Sequence, residues 1–278
     1  MKRQSAKKCA SAYKIKVLKI SAVCALLVML AVFITTPPDA LARSIWRQTH
    51  IAPLATLLVP NDASLRFEIG NYYFGGGAYD VDRAQGYFEK SLEIDPKIAG
   101  AHYQLARIYF IRGDFYTALN EINKEIELYP DFKRSYYVRG LIYGYAKQPD
   151  KATADFKEFL KWKPESWAGH NDLAWIYFMK GDYKNSAETA REGLVSSPNN
   201  VWLLNSLGVA LLNEGKLTEA KEALTKAQTA AEAMTLADWG RSYPGNNPSV
   251  YGDGLDAMRA SIKRNLDLIA EKNKNSFK

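Results

Sequence analysis

The chain has 278 residues, and 47% of them are hydrophobic, which is enough to build a continuous core. Its formal net charge is +7, from 37 lysine and arginine residues against 30 acidic ones. Seven of the basic residues lie between Met1 and Ile20, a stretch without acid, so the rest of the chain carries 30 charges of each sign. This balance argues against a basic surface for nucleic acid on the folded part of the chain.

The first predicted element is an apolar segment behind a basic tail of residues 1–16. Residues 17–36 contain one charged side chain, Lys19, and as a helix this segment spans about 30 Å, the thickness of a bilayer core. A run of basic residues precedes the segment, and no such run follows it. The pattern predicts a single-pass helix in the cytoplasmic (inner) membrane, with the N-terminus inside and the remaining chain outside.

A cleaved signal peptide shares these features, and this alternative stays open. Ala40–Leu41–Ala42 offers a cleavage site after residue 42, which would give a secreted protein. The long basic tail and the long apolar stretch favour retention of the helix. The two cysteines, Cys9 and Cys24, both lie in this N-terminal part, so the later residues have no thiol for a disulfide or for zinc.

Residues 37–62 are predicted to form a linker or membrane-proximal segment. Trp46, Ile51 and Leu54 lie at near-helical spacing, and Pro53 is expected to interrupt the helix. Two interpretations remain open for this segment: a helix at the membrane surface, or packing against the next part of the chain.

A repeat with a fixed period follows. It is marked by four equally spaced prolines, Pro96, Pro130, Pro164 and Pro198. Before each proline, two predicted helices flank a turn, and a small residue on each helix allows its neighbour to approach closely. The small residues of the first helices are Ala106, Gly140, Ala174 and Gly208, and those of the second helices include Ala118, Ala152 and Ala220.

These motifs resemble the tetratricopeptide repeat family, whose period of about 34 residues equals the proline spacing. The resemblance implies an all-α superhelical solenoid over residues 63–237, with units at about 63–98, 99–132, 133–166, 167–200 and 201–234. The first unit carries a two-residue insertion, which the turn at 75–80 absorbs. Lys147 stands at a usual turn glycine, and we expect Pro149–Asp150 to make that turn. Glu232 replaces the next proline, so the last helix is predicted to continue toward Trp239.

Residues 238–278 are predicted to form a loop and a C-terminal capping helix. The apolar residues of this helix share one face: Leu255, Met258, Ile262, Leu266 and Ile269. A terminal repeat exposes an apolar surface that needs a cover, so this helix is expected to seal the fifth unit.

The sequence shows no catalytic constellation, and we predict that the protein is not an enzyme and binds no cofactor or metal. His102 and His170 occupy equivalent positions in two repeats, which explains their pairing without a metal. Glu121, Glu125 and Glu127 are interpreted as a solvated helix face.

In the family, the first helix of each unit lines an inner groove. The resemblance therefore implies a groove formed by Phe67, Asn71, Tyr103, Arg107, Arg134, Tyr137, Asn171, Trp175 and Asn205. Aromatic side chains supply rigid contact area, and Arg107 and Arg134 are suited to a carboxylate. The alternative, that several aromatics only fill space between adjacent helices, stays open. The paired lysines and asparagines with which some members clamp a carboxylate are not reproduced.

We therefore predict a membrane-anchored scaffold for protein–protein interaction that binds a partner peptide or helix in the groove. The expected partners are a protein or peptide and, through the N-terminal helix, a membrane; nucleic acid and metal are not expected. The alternative is an accessory subunit of an envelope assembly machinery that handles glycan, lipid or pili. The architecture suggests a bacterial protein.

Overall fold

The computed structural model describes residues 36–75, 78–242 and 251–275. Residues 17–35 of the predicted membrane helix, the basic tail and residues 243–250 of the C-terminal loop lie outside the described residues. Across the described ranges the structure is helical, apart from one isolated β-bridge, and none of these helices is both long and apolar enough to cross a membrane. The chain divides into two compact bodies between Arg66 and Phe67.

The first body contains a pair of short helices, α1 (Pro38–Thr49) and α2 (Ala52–Leu58), that pack on each other. The predicted linker is thus folded. Pro53 lies in the first turn of α2, where its missing N–H costs no hydrogen bond, so it begins a helix and does not interrupt one. Trp46 is buried. The Arg43 guanidinium pairs with the Asp62 carboxylate at 2.8 Å.

Five consecutive helix pairs follow along the chain. In chain order the helices are α3 (Ala63–Tyr73), α4 (Val81–Ile94), α5 (Ala101–Ile111), α6 (Phe115–Leu128), α7 (Arg134–Tyr145), α8 (Pro149–Trp162), α9 (Trp167–Met179), α10 (Tyr183–Ser196), α11 (Val201–Asn213) and α12 (Leu217–Ala233). Polar residues before several helices accept a hydrogen bond from a backbone N–H of the first turn, as Asp114 does from Thr117 and Asp182 from Asn185.

The turn within each of the last four units has one geometry. Gly113, Gly181 and Gly215 have φ values of 77°, 75° and 79°, which glycine adopts without strain. Lys147 takes the same left-handed conformation, with φ 58°. The expectation that Pro149–Asp150 makes this turn is therefore wrong: Lys147 makes it, and Pro149 begins α8.

The small residues predicted at helix contacts occupy the closest approaches of the stack. A Cβ atom added to Gly140 would lie 3.0 Å from the Phe156 ring, and one added to Gly208 would lie 2.5 Å from Cγ of Leu224. Each glycine thus faces the large side chain of the second helix in its own unit. Ala106 and Ala174 are fully buried at the equivalent position.

The fifth unit ends differently from the prediction. Helix α12 stops at Ala233 and does not continue to Trp239; a separate helix, α13 (Leu236–Ser242), follows. The cause is a reciprocal cap, in which Asp238 accepts from the Thr235 backbone N–H and Thr235 Oγ1 accepts from that of Asp238. Arg259 donates to the carbonyl oxygens of Ala231 and Met234. It thus provides hydrogen-bond partners for carbonyl groups at the C-terminal end of α12.

Helix α14 (Tyr251–Asn275) covers the last unit with the face that the sequence indicates. Leu255, Ile262 and Ile269 are buried, and Met258 and Leu266 pack against the same core cluster. This cluster also contains Leu211 and Leu224, with other residues of α11 and α12.

Gly140→Leu is expected to destabilise the repeat domain by about 1–3 kcal/mol, because the added side chain meets the Phe156 ring with no space to enter. Chemical denaturation measures the change in the free energy of unfolding. Lys184→Leu on exposed α10 is the control and is expected to have little effect. Equal, small effects of both substitutions would contradict this packing.

Ile262→Ala is expected to loosen the cover on the fifth unit, at a cost of about 2–5 kcal/mol for the buried side chain. Because a repeat array opens locally from its ends, hydrogen exchange should accelerate in residues 201–233 before it does in the central units. The exposed neighbour Lys263→Ala serves as the control. If exchange in residues 201–233 stayed unchanged, α14 would not be the cover.

Candidate functional site

The first helices of successive units form one continuous surface, which we call the inner face. Helix α5 contacts α7, α7 contacts α9, and α9 contacts α11. In the second, third and fourth units, the second helix packs instead between the first helix of its own unit and that of the next. The first helices therefore place their outward side chains in neighbouring rows, so that residues about one repeat apart meet.

An aromatic row crosses the inner face. The Phe110 and Tyr145 ring centroids are 5.2 Å apart, and those of Tyr145 and Trp175 are 5.1 Å apart. Tyr145 is 55% exposed. Trp175 reaches this position because Gly144 leaves space for it: a Cβ atom there would lie 2.7 Å from the indole. The row thus joins three repeats and offers a rigid apolar surface.

At one end of the inner face, polar side chains link the first two units. Gln104 Nε2 donates to Asn71 Oδ1 at 2.5 Å, and Arg107 Nη1 donates to Gln104 Oε1 at 2.8 Å. The Arg107 guanidinium lies 4.7 Å from the Phe74 ring centroid. Burial lowers the pKa of Arg107, with the nearby charge of Arg134 contributing in the same direction. Arg134 itself is exposed.

Further along, a carboxylate lies between α7 and α9, and we call Asp172 with its two donors the acidic site. The Tyr137 hydroxyl donates to Asp172 Oδ2 at 2.6 Å, and Asn171 Nδ2 donates to Oδ1 at 3.2 Å. Burial raises the pKa of Asp172 to about 6, although both donated hydrogen bonds act to lower it. Burial, and then the Asp172 charge, also raise the pKa of Tyr145.

The predicted groove residues divide between open and packed positions. Asn171 accepts from the Ser206 hydroxyl at 2.9 Å, and Asn205 is half-buried, with no hydrogen-bond partner for its Oδ1 among the described residues. Tyr137 packs against the Phe156 and Phe159 rings, so it supports the core as well as the acidic site. The interpretation of some aromatics as packing residues therefore applies to Tyr137.

Phe67 and Tyr103 belong to the edge of the domain where units one and two meet. The Tyr103 ring lies 5.2 Å from that of Phe132. Phe67, Phe132, Gly100 and Leu128 line an apolar cavity of about 640 Å³. These predicted site residues are therefore not part of the aromatic row.

The interpretation of Glu121 and Glu125 as solvated residues is wrong, because both are buried. Glu125 accepts hydrogen bonds from the backbone N–H groups of Gly100 and Tyr103, at 2.8 and 3.2 Å, and so caps α5. Burial raises its pKa.

Glu121 contacts His102 Nδ1 at 2.6 Å and the Lys124 ammonium at 2.7 Å. Burial acts to raise the pKa of Glu121, but these two bonds hold it below its ordinary value. Glu127 is exposed, as expected.

The chemistry of the inner face suits binding. It offers aromatic surface, side-chain amides, arginine side chains at one end and one carboxylate. Among the described side chains, no nucleophile lies next to a base. Within the described ranges there is no group of three or more side chains placed to hold a metal ion. The Pro164 carbonyl oxygen lies 2.8 Å from Nε2 of His170, so this ring nitrogen already has a hydrogen-bond partner within the protein.

Comparison with known proteins agrees with this geometry. Models of the tetratricopeptide repeat match residues 87–120, 137–201 and 203–234. A curated relative, BBSome complex member BBS4 of Bos taurus, is 27% identical over 161 residues, which are 54% of this chain and 30% of that protein. The chain thus spans less than a third of that relative's length.

Solved structures share the fold. YrrB, described as a TPR protein with an unusual peptide-binding site, has a TM-score of 0.54 at 17% identity, over 68% of this chain and 97% of that one. PilW, described as a type IV pilus biogenesis factor, has a TM-score of 0.57 at 16% identity, over 75% and 98%. With its period, its helix pairs and these matches, the chain belongs to the tetratricopeptide repeat family.

Proposed function

We propose that the repeat domain is a protein–protein interaction scaffold that holds a peptide or helix of its partner on the inner face. The observation that carries this proposal is the aromatic row of Phe110, Tyr145 and Trp175, which remains partly open to solvent across three repeats. Large aromatic side chains dominate the binding energy of many protein interfaces. The peptide-binding site named for YrrB supports the same use of the fold.

The row is fixed in place before any partner arrives. Trp175 lies against Gly144, and Tyr145 contacts rings on both sides, so their rotamers are already restricted by packing. Little side-chain entropy is then lost on binding, which favours affinity. At the other end, Arg107 and exposed Arg134 are suited to an acidic or C-terminal group of the partner.

The proposal includes anchoring through residues 17–36, with the repeats outside the cytoplasm. The support is the charge asymmetry of the sequence around this apolar segment. Signal cleavage after residue 42 would also remove the first turn of α1 and the fully buried Ala42. This loss favours the retained helix over the cleaved form.

A role as an accessory subunit of an envelope assembly machinery is the second hypothesis from the sequence. The likeness to PilW is at 16% identity and concerns the fold. Binding through the inner face is therefore the function that we put forward.

Site-specific photocross-linking tests the binding face. A photoreactive phenylalanine replaces Tyr145 on the inner face or, as a matched control, Tyr116 on second helix α6, which is 86% exposed. In cells that naturally produce the protein, residue 145 should cross-link to a discrete partner, because a bound segment covers the aromatic row. Residue 116 should give no such product.

Cross-links from residue 116 with none from residue 145 would place the partner on the outer helices and contradict the proposal. A melting curve of each variant establishes that it is folded. Both tyrosines are solvent-accessible, so the comparison does not depend on a buried substitution.

Membrane fractionation tests the anchor. The full-length chain should resist extraction by alkaline carbonate, and Leu27→Arg should weaken this resistance, because a cation in the middle of the segment costs about 2.5–3.5 kcal/mol on insertion. Gln48→Arg, on exposed α1 surface, is the control. Recovery of a soluble form that begins at Arg43 would instead demonstrate signal cleavage.

A further inference from the structure

Asp172 is a partly buried carboxylate on the inner face that has no cation beside it in the described part of the chain. Among the described residues, no lysine, arginine or histidine forms an ion pair with it, and its hydrogen bonds come from Tyr137 and Asn171, which are neutral. Asp155, in contrast, is buried in a two-pronged pair with Arg139, both bonds being 2.8 Å long. A carboxylate at the acidic site is therefore incompletely compensated.

The fold does not require an acid at this position. The equivalent residues of the second, third and fifth units are Gln104, Val138 and Ser206, and all three are neutral. An unpaired carboxylate in a partly desolvated place lowers stability, whereas a neutral amide of the same shape avoids the cost of a buried charge and keeps one oxygen as an acceptor. Residues that lower stability in this way are often retained for binding.

The surroundings specify what would complete the site. Trp175 follows Asp172 by three residues on α9, which places both on one side of the helix, and its ring contacts that of Tyr145. The charge of Asp172 contributes to the raised pKa of Tyr145. A carboxylate beside aromatic rings suits a cation on an apolar stem, since the rings contact the methylene groups and attract the charge by their π faces. Lysine and arginine side chains have this construction, whereas acidic and purely apolar side chains do not.

We propose that Asp172, with Tyr145 and Trp175 beside it, binds a lysine or arginine side chain of the partner segment. The proposal rests on the proposed function, because it places that segment on the inner face. With Arg107 and Arg134 at the other end, the inner face is then polarised. The preferred segment carries a basic residue toward the fourth unit and an acidic group toward the second.

Binding through Asp172 makes recognition dependent on pH. With a pKa near 6, Asp172 is ionised at pH 7.5 and takes up a proton as the pH falls to 5. From α7, the Tyr137 hydroxyl donates to Asp172, and burial and the Asp172 charge raise the pKa of Tyr145. From α11, the Ser206 hydroxyl donates to the neighbouring Asn171. Helices α8 and α10 pack against α9 through apolar side chains, Leu173 and Ala174 among them.

The test is a selection from a displayed library of random twelve-residue peptides against the immobilised full-length chain. Three proteins are compared at pH 7.5: the wild type, Asp172→Asn and the control Glu188→Gln, an exposed acid on α10. Wild type and control should enrich peptides with lysine or arginine at one fixed place. Asp172→Asn should lose this enrichment about tenfold while it still selects peptides.

The affinity of a synthetic wild-type-selected peptide completes the test. Binding to the wild type should weaken about tenfold from pH 7.5 to pH 5, whereas binding to Asp172→Asn should change little. Selected peptides without a basic preference, or with one that survives Asp172→Asn, would overturn this inference and leave the proposed function intact. If no peptide is enriched by the wild type, both this inference and the proposed peptide groove fail.

Stability distinguishes a binding role from a structural one. The folded-state pKa of Asp172 lies above its ordinary value of 3.8, so its contribution to stability is complete below pH 3.8 and is lost as the pH rises through about 6. Asp172→Asn should therefore raise the melting temperature at pH 7.5 and do so less at pH 4. A variant that melts lower at pH 7.5 would show that the carboxylate is structural, which contradicts the proposal.

Discussion

The close approach of helices at glycine and alanine determines the geometry of the repeat domain. Where Gly140 meets the Phe156 ring and Gly208 meets Leu224, a heavier side chain fits only if a neighbouring group shifts. Since a small residue holds this place in each repeat, the two helices of every unit pack closely, and in units two to four the second helix packs in turn on the first helix of the next unit. The rows on the inner face follow from this spacing, because side chains one period apart are brought within reach of each other.

With the spacing fixed, the residue at each repeat position is free to differ where packing does not decide it. The position of Glu125 is occupied by Ser91, Phe159 and Gly193 in other units. Glu125 caps a helix, whereas Phe159 packs against Tyr137. An apolar cavity lies beside Phe67 and Phe132 near the start of the domain. Local chemistry thus varies along a constant scaffold.

The same distinction separates what the sequence predicts from what it does not. Features that recur at a regular spacing can be recognised in the amino-acid sequence alone. These are the period, the helix pairs, the glycine contacts and the apolar face of α14. The burial of Glu121 and Glu125 depends on partners about twenty residues away, Gly100 and His102 among them. The left-handed Lys147 and the cap between Thr235 and Asp238 are local, but they depart from the repeat pattern. A carboxylate that caps a neighbouring helix has the same local sequence as one in solvent.

The inner face shows where this limit matters most for function. The sequence indicates Tyr137, Asn171 and Trp175 by their residue types, but only the structure shows Tyr137 bonded to Asp172, which lies one position outside the predicted set. The available signal was a departure from the repeat, an acid where Gln104, Val138 and Ser206 stand in other units. In a solenoid, residues that match the repeat maintain the fold. A charged residue that departs from it, at a place where a neutral one would be more stable, therefore indicates a requirement from outside the chain.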